Sequence, residues 1–161
     1  MVEQHCETTR TILCVDDLQD SLTIRKLMLE IFGYRVLTTT SPVQALEVLE
    51  SEKVDLVVLD YRYPRIPEDG EWLARQIRSR WSTVRTIMLS GYPEIPQSAM
   101  ESVDCFCLKG GEPGELKRTI NMLLRVDQRG STVEETQKRS AELRETALRL
   151  RNEARRNRRS G

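Results

Sequence analysis

The chain has 161 residues, 39% hydrophobic and 31% charged, with 25 Lys/Arg balanced by 25 Asp/Glu. That is enough for one globular domain plus an extension, and no run reaches the ~18 apolar residues of a membrane helix. The zero net charge hides an acidic part and a basic part: residues 1–126 carry 15 basic and 19 acidic side chains, and residues 127–161 carry 10 and 6.

Residues 1–9 read as a disordered polar leader. It lacks the apolar core of a signal peptide, so a cytoplasmic location is expected. Thr11–Val15 is a short apolar run and predicts a buried strand. Asp20–Phe32 follows, with apolar residues at 24, 27, 28 and 31 in helical spacing, and Gly33 as its C-terminal stop. Arg35–Thr38 is a second strand. Ser41-Pro42 opens a second helix, with Ser as N-cap and Pro at the first helical position, burying Val43, Leu46 and Leu49.

Leu56–Leu59 is a third strand, and Tyr61–Gly70 is a loop rich in proline and charge. Trp72, Leu73, Ile77 and Trp81 mark a third helix. Thr86–Leu89 is a fourth strand, broken by Gly91-Tyr92-Pro93. A short helix is expected over Pro96–Glu101. Cys105–Leu108 is a fifth strand, and Glu115–Arg125 a fifth helix with Leu116, Ile120, Leu123 and Leu124 inward.

Five near-continuous apolar strands alternating with five helices imply a parallel sheet covered on both faces. The expected fold class is therefore α/β, a doubly wound five-stranded parallel sheet. In such sheets the ligand site lies beyond the carboxyl ends of the strands. Asp16 and Asp17, Asp60, Ser90 and Lys109 all occur there. Clustered carboxylates repel unless a cation neutralises them, and oxygen donors with open positions suit Mg²⁺ plus a phosphate oxygen. Asp60 can act as a nucleophile, Lys109 as a point charge on a phosphoryl oxygen, and Ser90 as a hydrogen-bond donor. Gly91 leaves room for the phosphoryl group. Any one of these residues is an ordinary turn or cap residue; their joint order along the chain is the specific signal.

Of the four cysteines, Cys14, Cys105 and Cys107 fall inside predicted strands, and no CxxC pair occurs. They are expected to be small buried hydrophobes. The only histidine is His5, which argues against a zinc site and against a histidine kinase or phosphotransfer domain.

Residues 127–161 form a charged, basic extension. Ser131 and Glu134 fit a capping box, and Val133, Thr136, Ser140, Leu143, Ala147, Leu150 and Ala154 follow a 3-4 spacing. A helical tail is expected, with too weak a seam for a firm coiled coil.

Residues 10–126 resemble the receiver domain of two-component response regulators, the flavodoxin-like fold of the chemotaxis regulator. The matching stretches are VDD at 15–17, LVVLDYRYP at 56–64, MLSGY at 88–92 and FCLKGGEPGEL at 106–116. The resemblance implies strand order 2-1-3-4-5 and Asp60 as phosphoacceptor. It implies Mg²⁺, with Mn²⁺ as a substitute, held by Asp17, Asp60, the Arg62 backbone carbonyl and Asp16, the last chiefly through water. Ser90 and Phe106 would form a switch pair that reshapes the face of the fourth helix, fifth strand and fifth helix. The implied donor is a histidine kinase or phosphotransfer protein, and the implied role is a phosphoacceptor switch rather than a turnover enzyme.

Three departures from the family pattern stand out. Gly110 follows Lys109 where the family usually has Pro, often in a cis bond. The interval from Asp60 to Gly70 is about two residues longer, around Pro67-Glu68. Arg62 stands two positions past the phosphoacceptor, where its guanidinium can lie over a phosphoryl group and block or order water. The alternative function classes are a nucleic-acid binder or a homodimeric assembly protein acting through the tail. Affinity falling steeply with salt and lost without residues 144–161 would mark the first; light scattering of full-length and truncated chains would mark the second.

Overall fold

The computed structural model describes residues 9–64, 67, 69–112 and 114–128. The expectations for the leader, for Cys6 and for the tail beyond Gln128 lie outside the described residues, as does part of the loop between Tyr61 and Gly70.

Five apolar runs become the strands β1 (Thr11–Val15), β2 (Arg35–Thr39), β3 (Leu56–Asp60), β4 (Arg85–Ser90) and β5 (Cys105–Leu108). They form one parallel sheet in the order β2-β1-β3-β4-β5. Every residue of β1, β3 and β4 is buried, as the unbroken apolar runs require. The helices between them are α1 (Gln19–Ile31), α2 (Pro42–Ser51), α3 (Gly70–Arg80), α4 (Gln97–Glu101) and α5 (Glu115–Gln128).

Strand side chains alternate between two core layers. Leu13, Val15, Val57, Leu59 and Met88 pack against α2, α3 and α4 through Ala45, Leu49, Leu73, Ala74, Ile77 and Ala99. Ile12, Val58, Ile87 and Leu89, with Cys14, Cys105 and Cys107, pack against α1 and α5 through Leu22, Leu29, Ile120, Leu123 and Leu124. All three cysteines are free and buried. Burial pushes the Cys14 thiol up to about 12 and that of Cys107 to about 11. They serve as small hydrophobes, each fully buried aliphatic neighbour contributing roughly 1.5–3 kcal/mol.

The caps follow local chemistry. Ser41 accepts from the Gln44 N–H with Pro42 behind it, and Asp69 accepts from the Trp72 N–H at the head of α3. Gly33 takes φ +88° just past α1 and donates its N–H to the Glu30 carbonyl, the left-handed stop a glycine permits.

Two inward faces differ from expectation. In α1 the stripe Ile24, Leu27, Met28 and Ile31 is exposed, and the buried residues are Leu22 and Leu29. Both stripes have helical spacing. The buried one is interrupted by Arg25, so apolar periodicity alone picks the other. In α2, Pro42, Ala45 and Leu49 are buried, while Val43 is exposed and Leu46 only partly covered. Ala45 takes the inner position in the core layer between α2 and the sheet.

Candidate functional site

The carboxyl ends of β1, β3, β4 and β5 open on one edge of the sheet, and four of the expected side chains meet there. Asp16 follows β1 and is fully buried. Its Oδ1 accepts from the Leu18 N–H at 3.0 Å. Its Oδ2 accepts from Lys109 Nζ at 3.1 Å and from Arg25 Nη2 at 3.3 Å. Asp60, the last residue of β3, accepts from the Tyr61 N–H at 2.9 Å and pairs through Oδ2 with the same Lys109 Nζ at 3.1 Å. One ammonium thus bridges two carboxylates.

Asp17 is exposed at the mouth. Carboxylate oxygens of Asp16, Asp17 and Asp60 lie within 4.8 Å of one another. Three hard oxygen donors, one of them facing water, fit a small divalent cation that keeps several waters. Burial is the main influence on Asp60 and raises its carboxyl above the ordinary 3.8; Lys109 opposes the rise and Asp16 adds to it.

Lys109 reaches this position without a proline. Gly110 adopts φ +71°, and no cis peptide occurs among the described residues. The Lys109 N–H donates to the Ser90 carbonyl at 2.8 Å, and the Gly111 N–H to the Leu108 carbonyl at 3.2 Å. The turn is closed by backbone hydrogen bonds and a left-handed glycine, and the two carboxylates hold the side chain's end.

Ser90 ends β4, almost fully buried. Its hydroxyl donates to the Tyr92 carbonyl at 3.1 Å and accepts from the Tyr92 N–H at 3.0 Å, so it faces its own loop. Met88 and Ser90 alternate onto one face of the sheet, and Phe106 pairs in register with Met88. Phe106 is half-buried against the α2–α3–α4 layer. An added Cβ at Gly91 would meet nothing within 4 Å, so the space beside Ser90 is open. The Arg62 guanidinium sits over the exposed Tyr92 ring, 4.9 Å from its centroid.

Three residues that sequence reasoning passed over complete the site. Arg25 lies inside the buried stripe of α1 and touches Asp16. Tyr63 is buried, and its hydroxyl donates to the Val15 carbonyl at 2.9 Å, tying the loop after β3 to the end of β1. Gly70 returns the chain onto β3: its N–H donates to the Tyr61 carbonyl, and a Cβ there would stand 2.1 Å from the Asp60 carbonyl oxygen. Of these, only Arg25 left a signal in the sequence, as a charge between Leu22 and Leu29. A cavity of about 330 Å³ lies elsewhere, lined by Arg10, Asp55, Trp81 and neighbours, and contains none of the expected site residues.

Comparison with known proteins agrees with this geometry. The model for the response regulator receiver domain matches residues 12–121. The alkaline phosphatase synthesis transcriptional regulatory protein PhoP of Bacillus subtilis is 30% identical over 119 residues, 72% of this chain and 49% of that protein. The probable transcriptional regulator ycf27 of Pyropia yezoensis is 34% identical over 117 residues, 71% of this chain and 47% of that one. The chain thus spans about half the length of these curated relatives. Among solved structures, the Thermotoga maritima response regulator TrrA in complex with Mg²⁺-BeF has a TM-score of 0.66 at 28% identity, covering 71% of this chain and 99% of TrrA. A complex of TrrA with the histidine kinase ThkA gives 0.65 at 30%, covering 72% and 99%. With the sheet order, the acidic edge and the family match in agreement, this chain belongs to the response regulator receiver domains of two-component signalling.

Proposed function

We propose that the chain is a phosphorylation-dependent switch and that Asp60 is its phosphoacceptor. The observation that carries this is Lys109 bridging Asp60 and Asp16 within a cluster of three carboxylates, at the sheet edge of a receiver domain. An Asp60 oxygen attacks phosphorus of a phosphohistidine on a kinase or phosphotransfer protein. The O–P bond forms, the P–N bond breaks, and the leaving imidazole nitrogen takes a proton from water. Lys109 is placed to move from the carboxylates to a phosphoryl oxygen as charge arrives.

Asp16, Asp17 and Asp60 are the residues that would hold Mg²⁺ or Mn²⁺; the Arg62 carbonyl as a further ligand rests on the family resemblance. When bound, the metal supplies positive charge against the carboxylates and the incoming phosphoryl oxygens. Ser90 would exchange its hydrogen bonds to Tyr92 for a phosphoryl oxygen, and Phe106 on the same sheet face would follow into the vacated space. The surface of α4, β5 and α5 then changes and selects a partner. TrrA, a neighbour in structure, has been solved with Mg²⁺-BeF and with a histidine kinase, which supports both the cofactor and the donor. Within this reading the domain covers residues 10–126 and works in the cytoplasm.

The decisive experiment is labelling by a small phosphodonor. Wild type is expected to be labelled only with Mg²⁺ present, and Asp60→Asn not at all. Label surviving in Asp60→Asn would sink the assignment.

A further inference from the structure

Arg25 occupies a position where the fold asks for an apolar side chain. It stands three residues after Leu22 and four before Leu29, and both of those are fully buried. Its own side chain is 10% exposed. Nη2 donates to Asp16 Oδ2, while Nη1 is buried with no hydrogen-bond partner. A buried charge with an unmet donor is costly, and a leucine would fill the stripe without that cost. The position is best understood by what the charge does for Asp16.

Asp16 cannot rely on Lys109 alone, because that ammonium is shared with Asp60. Three carboxylates and Lys109 leave a cluster two charges negative; Arg25 brings it to one. We propose that Arg25 is a tethered counter-ion of the pocket, a positioning residue that holds Asp16 in place and weakens the pocket's grip on Mg²⁺. The inference rests on the metal pocket described under the proposed function. In the absence of metal, Arg25 keeps Asp16 neutralised, which lets Lys109 leave for a phosphoryl group. In its presence, the resident cation repels the arriving one. A full charge 3.3 Å from a carboxylate oxygen that would hold the metal, at the effective dielectric of a protein site, would shift affinity by about tenfold or more.

The test is calorimetric titration of Mg²⁺ into the full chain as wild type, Arg25→Met, Arg25→Gln and Arg25→Lys, each first checked for a cooperative melt. The Met and Gln variants are expected to bind Mg²⁺ about tenfold tighter, and the Lys variant to stay close to wild type. Gln keeps a donor without the charge and covers the case in which Met fails to fold. A purely structural ion pair would lower the melting temperature of the neutral variants and leave the Mg²⁺ constant unchanged, which would overturn the proposal. If neither wild type nor any variant binds Mg²⁺, the metal pocket itself is refuted and this inference with it. If all bind with one constant, only the role of Arg25 falls.

Discussion

Arg62 and Tyr92 stand two residues past Asp60 and Ser90 respectively, and their stacking brings the two loops together at the rim of the pocket. Cation–π contact at an exposed site contributes about 0.5–1 kcal/mol, enough to bias where the guanidinium rests and too little to matter for the fold. The contact holds the guanidinium at the Tyr92 ring instead of letting it sweep through solvent, and the role assigned to it is to screen a phosphoryl group on Asp60 from water. On that assignment Arg62→Ala shortens the lifetime of the phosphoryl group on Asp60 several-fold and leaves the melting temperature unchanged. Equal lifetimes, measured by loss of label after donor removal, would show that Arg62 does not control water there.

At the scale of elements, α1 has two apolar stripes and uses the one broken by a charge. Leu22 and Leu29 face the sheet, while Ile24, Leu27, Met28 and Ile31 face outward. Leu29→Ala therefore costs about 2–5 kcal/mol in urea unfolding, the range for a buried leucine. Ile31→Lys, on the outer stripe, stays within about 0.5 kcal/mol. The reverse ranking would mean that the helix packs through its other side. The same contrast shows what the sequence made legible. β1, β3 and β4 were readable because a strand buried on both faces is apolar at every position, whatever its register. Asp16, Asp60, Ser90 and Lys109 were readable because each directly follows or ends such a run. The orientation of α1 was not, because 3.6-residue periodicity fits both stripes and Arg25 removed one member of the true one. The bond between Ser90 and Tyr92 was equally hidden, since a hydroxyl can turn to any of several partners without changing the pattern.

For the molecule as a whole, folding gathers negative charge at one edge and bears a stability cost for doing so. Asp60 shows the sign. Its carboxyl is raised above its ordinary value, mainly by burial, so the folded state holds the proton more tightly than the unfolded chain. Its contribution is fully present below the unfolded pKa and is lost as pH rises through the folded one. At neutral pH without metal the ionised group is a net burden. Asp60→Asn is therefore expected to melt a few degrees above wild type in chelator at pH 7. The gap should close as the pH falls past the folded carboxyl's pKa. A gap independent of pH, followed by circular dichroism, would assign the effect to packing instead of charge.

The contact between Gly70 and the Asp60 carbonyl fixes where the intervening loop must begin and end. Tyr61 and Gly70 are joined by a hydrogen bond, so the two ends of the segment occupy one spot whatever lies between them. Length there becomes an evolutionary free variable: residues can be added or exchanged between these anchors at little entropic cost. The segment is a natural place for a receiver to diversify the surface it shows to partners, with a single hydrogen atom at Gly70 as the condition that keeps Asp60 in place.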